Sequence, residues 1–179
     1  MIKITNFEQL RSYVLGHTVI AFEGARCVGK TYLAELLAKL TGAQYYTSWV
    51  NRKQHWDFYQ KEMGLDIAQM TPAVMDLISQ VKPGFFNLNK LVLDRSSISA
   101  SVWEMRNAEA GNFDVVTTNG PARMAFQIST LRKVNGCVIL VDADNGDAEE
   151  RAQYMQFASL YEEMGGDVYT YFNNMVSLT

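Results

Sequence analysis

With 179 residues, 48% of them apolar and 20% charged, the chain has the composition of one globular domain with a sizeable core. No window reaches the roughly 20 consecutive apolar residues of a membrane span, and two cysteines, Cys27 and Cys137, are too few and too far apart for a disulfide framework. A formal net charge of −3 supplies no general electrostatic footprint for long nucleic acid, although a local basic groove remains compatible with it.

The opening stretch MIKITNFEQLRSYVLGH is interrupted by Glu8 and Arg11, so it is not expected to act as a signal peptide. With unpaired cysteines, the expected setting is the reducing cytoplasm. Short apolar runs alternate with helix-period segments, and there is no repeat, low-complexity tract or linker. Residues 1–179 are therefore expected to form a single α/β domain around a mostly parallel sheet.

In chain order, TNFEQLRSYVLG predicts a helix opened by a capping box, either Thr5 with Glu8 or Asn6 with Gln9, and stopped at Gly16. TVIAFE, residues 18–23, predicts the first buried strand. Beyond a glycine loop, Leu33, Leu36, Leu37 and Leu40 recur at the spacing of one helical face, and Gly42 suits its end. AQYYT, residues 43–47, predicts a second strand. Thr71 and Pro72 open a helix striped by Val74, Leu77, Ile78 and Val81. KLVLD, residues 90–94, predicts a third strand that ends on an acid, followed by a helix through SISASVWEMRNA. Met124, Ile128 and Leu131 mark a further helix. GCVILVDAD is the fourth strand, Tyr154, Phe157, Ala158 and Tyr161 share one helical face, and DVYTYF closes the set as a fifth strand.

Gly24-Ala25-Arg26-Cys27-Val28-Gly29-Lys30-Thr31 satisfies G-x-x-x-x-G-K-[ST] in full, with a predicted strand before it and a helix after it. Each fixed position has a reason. Gly24 and Gly29 permit backbone angles and close approach that a side chain blocks. The N–H groups of residues 24–31 then turn inward around phosphate oxygens, helped by the positive end of the following helix. Lys30 is expected to reach the β- and γ-phosphates and the Thr31 hydroxyl to ligate Mg²⁺. The motif predicts nucleotide binding without saying what is done with the nucleotide.

KLVLDRSSISASVW carries the next clue. An acid at the end of a buried strand in the same sheet reaches the region of the metal and the γ-phosphate, so Asp94 is a candidate to hold Mg²⁺, orient an attacking hydroxyl, or both. Arg95 is a candidate to bind an acceptor or neutralise the phosphoryl group in flight. The structural alternative is an Asp–Arg pair capping the next helix together with Ser96 or Ser97.

FEG leading into the loop, and DRS after a strand with a serine- and tryptophan-containing helix behind it, resemble the deoxynucleoside kinase and thymidylate kinase group. The resemblance covers these two motifs and the order of elements, not a continuous alignment. It implies a three-layer α/β/α phosphate-loop NTPase fold with a five-stranded parallel sheet, ATP with Mg²⁺ as donor, a nucleoside or nucleotide acceptor, and a homodimer. Lys30 and Thr31 match the donor-phosphate and metal positions, and Asp94 and Arg95 match the acid–Arg pair near the acceptor. Arg151 resembles a lid arginine over the ATP phosphates; the alternative is a surface arginine paired with Asp147 or Glu150.

The sequence also departs from that group. In place of a Glu-Pro or Arg-Glu-Pro-like segment after the second strand it has YYTSWVNRKQHW, with Arg52, Lys53 and His55 between Trp49 and Trp56. Cations among aromatics suit an acceptor that already bears a phosphate, its base stacked on a ring, and they equally suit an amphipathic surface helix. The arginine-rich lid is missing as well. Asp142 and Asp144 are read as turn residues, and His17 and His55 have no partner at metal-ligand spacing. The leading expectation is an ATP- and Mg²⁺-dependent kinase of a deoxynucleoside monophosphate or deoxynucleoside. The alternatives are a kinase acting on a hydroxyl of a nucleotide within DNA or at a polynucleotide end, and a non-catalytic ATP-binding switch.

Overall fold

The computed structural model describes residues 1–47, 91–111 and 120–174. Its elements run β1 (Ile2–Ile4), α1 (Phe7–Gly16), β2 (Val19–Glu23), α2 (Lys30–Thr41), β3 (Gln44–Thr47), β4 (Leu91–Asp94), α3 (Ser97–Glu109), α4 (Gly120–Lys133), β5 (Gly136–Asp142), α5 (Ala148–Glu163) and β6 (Val168–Phe172). All five strands expected from the sequence are present, and every strand pair is parallel. The sheet has one strand more than the five expected: β1 pairs with β6 at the edge, giving the order β1-β6-β5-β2-β4-β3. Three residues are too few to show a period, and only Ile4 of the three is buried. The helix expected over residues 71–81 and Lys90 of the third expected strand lie outside the described residues.

Successive strand residues face opposite sides of a sheet, and all five residues of β2 are buried. Both faces of the sheet are therefore covered, which is why central strands such as VIAFE and GCVILVD read as continuous apolar runs. Helices α1 and α2 pack together and α2 lies against β2, β3 and β4; α3, α4 and α5 pack on one another, with α4 and α5 against β5.

Of the two capping pairs offered by the sequence, the second is used. The Asn6 side chain accepts from Gln9 N at 2.8 Å, and Gln9 Oε1 accepts from Thr5 N at 2.8 Å. Gly42 ends α2 as expected, with φ 70° and its N–H on the Ala38 carbonyl. The buried face of α2 is Leu33, Ala34, Leu37 and Ala38, whereas Leu40 is exposed. Leu36 is half-buried, and the leucine stripe overruns the buried face at its last turn. Met124, Ile128 and Leu131 are buried on α4 as predicted; of the stripe predicted on α5, Tyr154, Ala158 and Tyr161 are buried and Phe157 is half-buried.

The topology sets the place of the site. From β2 the chain crosses through α2 to β3 on one side of the sheet, and from β5 it crosses through α5 to β6 on the other. Adjacent strands whose connections diverge leave a crevice at their carboxyl ends. The glycine loop of residues 24–29 leaves β2 at that crevice.

Candidate phosphate-binding site

The loop passes so close to β5 that a Cβ on Gly24 would lie 2.4 Å from the Val141 carbonyl oxygen, and Gly24 has φ +149°. Both facts exclude a side chain there. Ala25 and Val28 are buried and anchor the loop, while Arg26 and Cys27 are exposed. Cys27 holds the left-handed region at φ 67° without being glycine, and Gly29 follows at φ 79° as the residue before α2. From the far side, Asn173 Nδ2 donates to the Val28 carbonyl at 3.0 Å and fixes the loop to the end of β6. A Gly24→Ala variant is expected to lose about 3 kcal/mol of stability, since backbone cannot retreat as a flexible side chain does. A urea melt that leaves the midpoint unchanged would refute this reading of the loop.

Lys30 opens α2 and is 3% exposed. Its Nζ folds back over the loop and donates to the Gly24 carbonyl at 3.2 Å. Burial lowers its pKa to about 8; Arg95 pushes in the same direction, and Asp94, Glu23 and Glu150 oppose it. The ammonium is thus held at the mouth of the loop in a place that costs it solvation.

Thr31 and Asp94, expected to share a metal, are brought together across 63 positions: Thr31 Oγ1 donates to Asp94 Oδ2 at 2.8 Å. Strand register does this, because β2 and β4 are neighbours with Phe22 opposite Asp94. Tyr45, which sequence reasoning treated only as part of a strand, donates its hydroxyl to the same Oδ2 at 2.7 Å. Asp94 is 3% exposed, and its Oδ1 is buried with no hydrogen-bond partner among the described residues. Among the described residues no three His, Cys, Asp or Glu side chains converge. One carboxylate with a vacant oxygen beside one hydroxyl is a hard, sparse donor set, which suits Mg²⁺ completed by phosphate and water.

The capping alternative for the Asp94–Arg95 pair is not what is found. Asp94 turns to Thr31 and Tyr45, and Ser96, at the N-cap of α3, makes no side-chain cap. Gln127 of α4 accepts from Ser97 N at 2.9 Å instead. The Ser96 hydroxyl goes to Glu23, a fully buried carboxyl at the end of β2 that the sequence singled out only through FEG. Glu23 Oε1 also accepts from Ser96 N at 2.8 Å, and its Oε2 takes the Ser99 hydroxyl, which lies 2.9 Å from the Tyr154 hydroxyl. Burial raises the Glu23 pKa, against the hydrogen bonds from Ser96 and Ser99 and the charge of Lys30. This network braces Arg95, whose φ is 75° and whose N–H donates to the Phe22 carbonyl at 2.8 Å.

Arg95 faces a cleft of about 310 Å³ with Arg26, Trp103, Arg106, Glu150 and Tyr154 among its walls. Arg151 is not on its lining. That side chain makes a two-pronged pair with Asp142, Nε to Oδ1 at 2.6 Å and Nη2 to Oδ2 at 3.0 Å. Its partner is therefore neither Asp147, which caps α5 by accepting from Glu150 N, nor Glu150. Asp142 does serve the turn, accepting from Ala143 N at 2.9 Å. Trp49, Arg52, Lys53, His55 and Trp56 lie outside the described residues.

No protein-family model matches the chain, and no curated protein does. Among solved structures it is similar to a deoxyadenosine kinase from M. mycoides with the products dCMP and a flexible dCDP bound, at 17% identity over 86% of this chain and 89% of that one, with a TM-score of 0.41. The same enzyme with bound dATP gives 18% identity over 86% and 90%, again with a TM-score of 0.41. Likenesses this distant leave the chemistry to the chain's own residues. Among the described residues no helix is long and apolar enough to cross a membrane.

Proposed function

We propose that the chain is an ATP- and Mg²⁺-dependent phosphotransferase acting on a deoxynucleoside monophosphate or a deoxynucleoside. The observation that carries this reading is the meeting of Lys30, Thr31 and Asp94 at the mouth of the glycine loop, with Arg95 next in sequence over a cleft. The amides of residues 27–31 and the Lys30 ammonium would take the donor's β- and γ-phosphates, the Arg26 amide being turned to Glu150 Oε1 at 3.3 Å. Thr31 and Asp94 would hold Mg²⁺, which when bound spreads the charge of the phosphates. Arg95 and its neighbours form the wall where an acceptor would lie. There is little covalent work for the protein in such a transfer, so positioning and fixed charge supply most of the rate.

A switch that only binds ATP has less use for a buried Glu23 network that holds an arginine in a left-handed conformation beside the loop. That conformation costs on the order of 1–3 kcal/mol. The deciding experiment is transfer of radiolabelled phosphate from ATP to a panel of deoxynucleosides, their monophosphates and short oligonucleotides. Selective labelling of the small acceptors supports the reading, and labelling of oligonucleotides alone transfers it to polynucleotide ends. Binding of ATP with no labelling of any acceptor leaves the switch.

A further inference from the structure

Glu150 sits where an anion from outside would be welcome. It lies in the first turn of α5, and its side chain is only 7% exposed. Its Oε1 accepts the backbone N–H of Arg26, the third residue of the glycine loop, at 3.3 Å. Its Oε2 accepts from Arg26 Nε at 3.1 Å and lies 3.4 Å from Arg106 Nη1 on α3. A loop amide and two guanidiniums thus converge on one carboxylate at the wall of the cleft. The same donors, in the same directions, are what a phosphate needs: a planar fork suits its oxygens, and a loop amide adds a fixed dipole.

Charge points the same way. The two guanidiniums close on one carboxylate, with the charge of Asp147 also acting on Arg26 and the Gln153 side-chain oxygen 3.4 Å from Arg106 Nη1, whereas a phosphomonoester carries about −1.5 to −2 near neutral pH. Arg26 is mostly exposed and Arg106 partly so, and both therefore have room to turn toward a ligand. Val102 and Trp103, on the same helix as Arg106, supply apolar and aromatic wall beside this anchor.

We propose that the Arg26 amide, the Arg26 guanidinium and the Arg106 guanidinium form a subsite for a phosphomonoester, for which the Glu150 carboxylate competes. Naming that ligand the acceptor rests on the kinase reading above; the subsite itself rests on the three contacts. The acceptor would then be a nucleotide that already bears its first phosphate, and Glu150 would be an internal competitor that keeps bare nucleosides from drawing the arginines in.

The test is calorimetric and needs no ATP. Deoxynucleoside 5′-monophosphates, the matched deoxynucleosides and inorganic phosphate are titrated into the protein in a Lys30→Met background, which removes the loop's own ammonium. Adding Glu150→Gln keeps an oxygen for the Arg26 amide and removes the competing charge, so monophosphate affinity should rise about tenfold while nucleoside affinity stays put. Adding Arg106→Gln should lower monophosphate affinity about tenfold, at a side chain exposed enough to be replaced without unfolding the chain. No gain from Glu150→Gln overturns the proposal, as does indifference to Arg106→Gln. A gain for inorganic phosphate with none for the nucleotides overturns its assignment to an acceptor. Failure of the kinase reading looks different: transfer is blank for every acceptor while monophosphate binding still answers to positions 150 and 106.

Discussion

Lys30→Met should cut phosphoryl transfer roughly a thousandfold, the scale of removing a charged donor from a reacting oxyanion, and should raise the melting temperature of the ligand-free protein. The two effects have one cause. The Lys30 ammonium is buried beside Arg95, and its pKa falls to about 8 from the ordinary 10.5. Between those values the unfolded chain binds a proton at this residue and the folded chain does not, so the stability contribution rises with pH across that window. Below about pH 8 the cost of burying the charge is fully present, on the order of 3 kcal/mol. Methionine fills the same volume without the charge and should recover most of it. Calorimetric melts near neutrality and again near pH 10 check the sign: the gap between variant and parent should be widest at the lower pH. A variant less stable than the parent at neutral pH would show that Lys30 is held by its contacts rather than against its solvation.

The same titration predicts the pH profile of the reaction. The free protein should lose kcat/KM as pH rises through about 8, because a neutral amine no longer draws the phosphates in. Bound phosphate favours the charged amine, so the fall in kcat should come at a higher pH than the fall in kcat/KM. A profile with both limbs at the same alkaline pH would assign the titration to another group.

Much of this site could be read from sequence because its parts are local. Gly24 to Thr31 is one uninterrupted motif between a strand and a helix, and both flanks are strongly patterned. Asp94 was legible for a different reason: an acid closing a buried strand of a parallel sheet is carried to the loop by register, here with Phe22 opposite it. Tyr45 was not legible, since a tyrosine in an apolar strand is ordinary core until the sheet order sets β3 beside β4. Asn173 was hidden in the same way, acting on Val28 from the far end of the chain. The step from Arg151 to Glu150 is the most instructive. Neighbouring helix residues point about 100° apart. Glu150 and Tyr154, four residues apart, share the face that lines the cleft, and Arg151 turns away to Asp142. The resemblance pointed to the first turn of α5, and the packed neighbours decide which of its side chains faces the cleft.

Asp94→Asn is expected to slow transfer by on the order of a hundredfold and to leave the fold intact, and the reason lies in which of its oxygens is occupied. Oδ2 already takes two hydroxyl protons, from Thr31 and Tyr45, while Oδ1 is buried and has no partner among the described residues. An uncompensated oxygen on a buried carboxylate is costly in a folded chain, and an asparagine removes the charge while its amide oxygen can keep both hydroxyls. Stability should therefore hold or rise. What the variant loses is the negative charge directed at the loop, so ATP affinity should gain much less from added Mg²⁺ than it does in the parent. Calorimetric titration of ATP with and without Mg²⁺ reads this without any turnover. Tyr45→Phe separates the two oxygens: it removes a donor to Oδ2, leaves the charge in place, and should cost only several-fold in rate. Full activity and an undiminished Mg²⁺ effect in Asp94→Asn would mean that the vacant oxygen has no ligand to wait for, and that Asp94 only braces the loop through Thr31.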